Sequence, residues 1–168
     1  MPKQVPNAGD VFLVELNDRS FAVGQVLEVR PILMNSFTCA FFDTRVSSAD
    51  SIDFPLERAS VLSCQFVTRD AFNRGHWKRT FKVAPRIREA DLPYRDRERS
   101  GWIGAKVIGS GIMTSFLNAC FGLGNWTEMK DPKYYDALLF SGRQRPTLAR
   151  VEDSEVPPNT SLERSRER

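Results

Sequence analysis

The sequence predicts an α+β domain: an N-terminal curled antiparallel sheet, SH3-like or a partly open barrel, with one or two C-terminal helices packed on it. Three observations predict it. Before residue 84 the apolar residues gather in short Val-, Leu- and Phe-rich runs cut by polar turns, the pattern of sequential strands. After residue 110 the apolar spacing changes to three and four, the period of a helix face. The chain also holds 12 Phe and 3 Trp among 168 residues. A chain of that length buries about two thirds of its unfolded surface, enough for one aromatic-rich core.

Taken in order, Gly9-Asp10 forms a turn into a first strand, Asp10 to Leu16, and Asn17-Asp18-Arg19 is a hairpin-length turn into a second, Ser20 to Arg30. In the second run Phe21, Val23, Leu27 and Val29 share a face at period two, with Gln25 the exception. Gly24 in mid-strand predicts a bulge or a close backbone approach. A third strand follows from Phe37 to Asp43, then a Ser/Asp-rich surface loop from Thr44 to Asp53, then a fourth strand from Ser60 to Val67. Arg69 to Arg74 suits one helical turn that Gly75 ends. From Trp77 to Val83 the residues alternate as a half-exposed strand, with Trp77, Phe81 and Val83 inward and Arg79 out of pattern.

Pro85 to Ser100 reads as an excursion over the surface, and Gly101 to Ile108 as a further strand. After the Gly109-Ser110-Gly111 break, Ile112, Phe116 and Cys120, with Met113, Leu117 and Phe121, line one face of a helix capped by Gly122. A short second helix is expected near Asp131-Pro132, with the aspartate as cap and the proline in the first turn. Residues 1–140 are read as one domain. Beyond Ser141 the aromatics stop, prolines and mixed charges take over, and residues 141–168 are expected to be a flexible tail.

The residues point away from assembled chemistry. The net charge is +3, but between residues 86 and 99 five arginines alternate with Glu89, Asp91, Asp96 and Glu98, unlike the one-sided basic stripe of a nucleic-acid footprint. Cys39, Cys64 and Cys120 are scattered in apolar surroundings and read as reduced core thiols. No apolar leader or membrane-length run is visible, so a cytoplasmic protein is expected. The lone histidine, His76, stands in a basic turn with no cysteine near it in sequence, a poor start for a nucleophile–imidazole pair. Three dispersed cysteines and one histidine do not make a zinc pattern, and Asp50, Asp53 and Glu57 do not follow an EF-hand loop. Gly101 to Gly111 lacks the order of a phosphate loop. In Trp77 to Lys82 the rings alternate with the lysines and so point to opposite faces, whereas base stacking needs rings on the charged face. No catalytic residue, metal or cofactor is therefore expected, although two carboxylates meeting in space would leave a hydrolase open.

The run Gly9-Asp-Val-Phe-Leu-Val-Glu-Leu16, then Phe21-Ala-Val-Gly-Gln-Val-Leu27, Gly75-His-Trp77, Phe116 to Leu123, Trp126 and Asp131 to Leu139 resembles, in that order, the immunity protein 26 family of bacterial polymorphic toxin systems. The resemblance covers residues 8 to 140. It implies an α+β protein without catalytic residues, acting as an antitoxin that binds a cognate protein toxin and occludes its active or substrate site. Two loops are then the candidate interfaces. One carries Asp43, Asp50, Asp53 and Glu57; the other carries Arg95, Arg97 and Arg99. The rival reading is an SH3-like nucleic-acid-binding or adaptor module, motivated by the basic pI and the strand 77–82.

Overall fold

In the computed structural model β1 (Asp10–Glu15) and β2 (Phe21–Arg30) form a hairpin, which β3 (Ser36–Val46) and β4 (Val61–Val67) extend as an antiparallel meander. The described residues are 5–30, 36–50, 56, 60–85, 87, 92 and 95–151, with side chains for all of them except Arg30, Arg95 and Asp96. After the short helix α1 (Asp70–Asn73), β5 (Trp77–Lys82) returns to pair with β1. Helix α2 (Arg95–Arg99) precedes β6 (Val107–Ile108), which joins β4 in parallel, and α3 (Ser110–Cys120) leads to a 3-10 turn at Asp136–Leu138. The strand order is β5-β1-β2-β3-β4-β6. The sheet is open, not closed into a barrel.

Its curl has identifiable causes. The pairing register shifts once between β1 and β5, twice between β2 and β3 and once between β3 and β4, and each such bulge bends its strand and increases the local twist. Gly24 stands at one of these shifts and directly opposite Phe12. A Cβ on Gly24 would lie 2.4 Å from the Phe12 ring, so the glycine is the floor on which that ring lies. Both devices expected of it, bulge and close approach, are present. At the first hairpin turn Arg19 takes φ +65°. Asp18 accepts hydrogen bonds from the Ser20 hydroxyl (2.5 Å) and amide (3.0 Å), which hold its carboxyl below the ordinary value.

The sheet is covered on both faces, so there are two apolar clusters instead of the single expected core. On one face Phe12, Val14, Val26, Phe37 and Phe41 pack against Phe72 of α1, Trp77, Met113 and Phe116 of α3, and Trp126 and Tyr135 beyond it. On the other, Val11, Leu13, Phe21, Val23, Ala40 and Phe42 meet Leu56, Ile87 and Leu92 from the long connections. The sequence cause is continuity: every residue from Asp10 to Val14 and from Phe21 to Leu27 is buried, as in strands covered on both sides. Gln25, the exception in the alternation, belongs to the second face. It is fully buried, and its amide donates to the carbonyls of Val83 (3.0 Å) and Ala84 (3.2 Å), so a polar group in the interior fastens the exit of β5.

The bulge between β1 and β5 also changes how β5 reads. Trp77 packs in the first cluster, whereas Phe81 and Val83 pack against the second. Arg79, out of pattern in the sequence, lies on the Phe12 side and pairs with the buried carboxylate of Asp10 at 2.9 Å. Helix α3 starts two residues earlier than its apolar spacing suggests and ends at Cys120, with Phe121 as its C-cap and Gly122, whose φ is +72°, directly after it. Asp131 accepts the Lys133 amide at 2.9 Å and opens a turn that becomes a single 3-10 turn at residue 136. Ser63 and Gln65 of β4 both donate to the Leu138 carbonyl, at 2.5 and 3.1 Å, and seat that turn on the sheet. Past residue 140 the chain stays attached: Arg145 pairs with Asp136 at 3.1 Å, and the Trp126 amide donates to the Arg150 carbonyl at 2.7 Å.

Candidate functional site

Among the described residues, three surface features hold the polar groups that could do work. The first is the acidic stretch after the middle of β3. Asp43 belongs to the strand and not to a loop, because Arg45 and Val46 still find partners in Ala22 and Phe21 of β2. Its carboxylate is paired with Arg143, which also donates to the Ser60 hydroxyl at 2.8 Å. Asp50 is exposed in the following turn. Asp53 and Glu57 lie outside the described residues.

The second feature is basic. Arg95 opens α2, and Arg97 and Arg99 are exposed on its last turn. The chain then turns back on itself. The Gly101 amide donates to Glu98 O (3.1 Å), the Trp102 amide to Arg97 O (2.8 Å), and the Arg97 guanidinium to the Gly104 carbonyl. Gly101, Trp102 and Gly104 have φ of +68°, +67° and +76°. Left-handed residues cannot continue a strand, and for this reason the strand expected over 101–108 shrinks to Val107–Ile108. Trp102 is the costly member, since a non-glycine residue there stores about 1 kcal/mol or more. It is secured from below, its half-buried ring lying edge-on to Phe66 with centroids 5.5 Å apart. Ile103 stands out beside it, 79% exposed, with the exposed Lys106 close behind.

The third feature is a cleft of about 490 Å³ between α1, the start of β5 and the start of α3, lined by Glu15, Asp70, Arg74, His76, Lys78 and Ser110 among others. Asp70 is its anchor. One carboxylate oxygen accepts the Thr68 hydroxyl and the other the Ser110 hydroxyl, while the Ser110 amide donates to Thr68 Oγ1 at 3.1 Å. Burial works against the charged form of Asp70, but the hydrogen bonds from Ser110 and Thr68 outweigh it and hold the carboxyl below its ordinary value of 3.8. The carboxylate accepts no backbone N–H of α3, since the Ser110 amide goes to Thr68 Oγ1, but its hydroxyl bonds hold it beside the first residue of that helix, where a negative charge is favoured. His76 is exposed at the rim. A Ser–His–Asp site needs the serine proton to go to imidazole, and here the Ser110 hydroxyl gives it to Asp70.

Because the folded pKa of Asp70 is lowered, its contribution to stability is present above the unfolded value and is lost as pH falls below it. Ser110→Ala removes one of the two hydroxyl donors and lets that pKa rise. The acid-unfolding midpoint, followed by circular dichroism, is expected to move to higher pH in this variant. An unchanged midpoint would mean that the Asp70 latch carries no linkage.

The family model described as immunity protein 26 matches residues 7–102, more than half of the chain. The chain belongs to this family. No curated protein and no solved structure matches it. The immunity protein 26 segment runs from the turn before β1 through α2 and closes on Trp102. Residues 116–139, part of the resemblance seen in the sequence, lie beyond the match. Among the described residues no helix is long and apolar enough to cross a membrane, and no group of three or more His, Cys, Asp or Glu side chains is placed to hold a metal ion.

The sequence brought Arg97 and Arg99 forward but not Ile103. The missed signal was the pair of glycines three apart, Gly101 and Gly104: glycines in such close succession permit consecutive left-handed residues and argue for a tight turn.

Proposed function

We propose that this immunity protein 26 member is a non-enzymatic antitoxin that binds a cognate bacterial toxin stoichiometrically and covers its active site or substrate path. The family match over residues 7–102 carries the reading. The surface supports it in kind. Arg97, Arg99 and Lys106 are exposed around the 100–104 turn, whereas Asp43 is already neutralised by Arg143. We take the Arg97–Arg99 side as the candidate interface, and its charge suits an acidic patch on the toxin. The cytoplasm fits the three free, buried thiols of Cys39, Cys64 and Cys120.

The nucleic-acid alternative has less to stand on. Lys78, Arg79 and Lys82 of β5 are exposed, but Trp77 is buried and Phe81 half-buried, so this cationic strand has no open ring for a base to stack on. The test is co-expression with the toxin encoded by the neighbouring gene, together with size-exclusion chromatography of the mixed proteins. Restored growth and a stoichiometric complex with Kd of about nanomolar or tighter are expected. Unrelieved toxicity and separate elution would sink the reading.

A further inference from the structure

We infer that the 100–104 turn is the toxin-binding anchor: Ile103 enters an apolar pocket on the toxin while Arg99 and Lys106 meet carboxylates at that pocket's rim. The inference rests on the antitoxin reading and adds to it the residues that touch and the chemistry they require. Four observations support it. Ile103 is 79% exposed, the most exposed large apolar side chain among the described residues; a lone exposed apolar residue is ordinary in itself, and the fixed turn that presents this one is what singles it out. It is held in one place, because the Arg97 guanidinium on Gly104 O, the Trp102 amide on Arg97 O and the Trp102 ring on Phe66 fix both sides of the turn. The backbone strain at Trp102, φ +67°, is maintained for a conformation whose visible result is to present Ile103. Among the described side chains next to it in sequence, Arg97, Arg99 and Lys106 are exposed and Glu98 is half-exposed.

An apolar centre within a polar rim is the anatomy of a binding hot spot. Pre-ordering removes the entropy that a mobile loop would lose on binding. The cations call for an acidic partner surface and speed the encounter.

The test compares Ile103→Asp, the pair Arg99→Glu/Lys106→Glu, and Leu148→Asp as control. Leu148 is another exposed apolar residue (63%), packed beside Gly122 at the far end of α3. All are titrated against the toxin of the neighbouring gene by surface plasmon resonance, with thermal unfolding as the check on folding. Ile103→Asp is expected to weaken binding about 30-fold or more, mainly through faster dissociation. The charge-reversed pair is expected to slow association about ten-fold at low salt and much less at high salt. Leu148→Asp should bind like the unaltered protein. Equal affinity of Ile103→Asp and unaltered protein overturns the anchor and leaves the antitoxin reading standing, whereas failure of the unaltered protein to bind removes both. Salt-sensitive retention on a single-stranded oligonucleotide, lost in the charge-reversed pair but unchanged in Ile103→Asp, would also overturn the anchor by making the basic rim a nucleic-acid surface.

Discussion

Gly24→Ala is expected to destabilise the protein by about 3 kcal/mol, the upper part of the usual range for overpacking a core. A glycine inside a strand normally costs stability relative to alanine, about 0.5–1 kcal/mol, so local propensity predicts the opposite sign. Space decides the matter. The added methyl would sit 2.4 Å from Cζ and 2.5 Å from Cε2 of Phe12. The ring has no simple escape, since it stacks on Trp77 at 5.1 Å and meets Phe72 and Phe41 edge-on at 5.0 and 5.8 Å. Urea denaturation should show a lower midpoint with an unchanged slope. A double-mutant cycle identifies the cause: Phe12→Leu shortens the clashing side chain, so adding Gly24→Ala to it should cost far less than adding it to the parent. Additive effects would rule out the ring as the obstacle.

Trp126→Ala is expected to cost about 3–5 kcal/mol, as for other large buried aromatics. The ring is fully buried against Phe116 and Tyr135, with centroids 5.8 and 5.7 Å away. Its indole N–H donates to Asp136 at 3.1 Å, and Arg145, paired with the same carboxylate, lies over the ring at 5.3 Å. Removing the ring therefore opens a cavity and also leaves Asp136 and Arg145 without the surface that positions them. Tyr135, whose hydroxyl is pushed above its ordinary pKa by burial and by its hydrogen bond to Glu128, loses a neighbour as well. Hydrogen exchange should accelerate first in residues 134–151, before the strands. Protection lost evenly across the sheet would show that this corner is not a separate unit.

The parts of the fold legible in the sequence were those with a local cause. Turn residues bounded β1, β2 and β4, the spacing of Ile112 to Phe121 marked α3, and Gly24 announced a close approach because few other reasons place glycine in a strand. Effects that depend on distant partners were not legible. The extension of β3 through Val46 needs β2 beside it, and the split of β5 between two faces comes from a bulge against β1. The second cluster is closed by Leu56, Ile87 and Leu92, single apolar residues within polar connections. For the candidate site, charge was visible and shape was not: Arg97 and Arg99 stood out as cations, while the exposure of Ile103 follows from three left-handed residues around it.

With both sides of the β-layer sealed by packing, specificity and foldability are assigned to different atoms. At the perimeter, exposed side chains that do not hold the 100–104 turn, such as Arg99, Ile103 and Lys106, can be exchanged at about ±0.5 kcal/mol each, the usual effect of surface changes remote from caps and buried pairs. Arg97, Gly101, Trp102 and Gly104, by contrast, set the turn itself. Under the proposed antitoxin role, a change of target would then fall on those exposed side chains and leave the packed layers untouched.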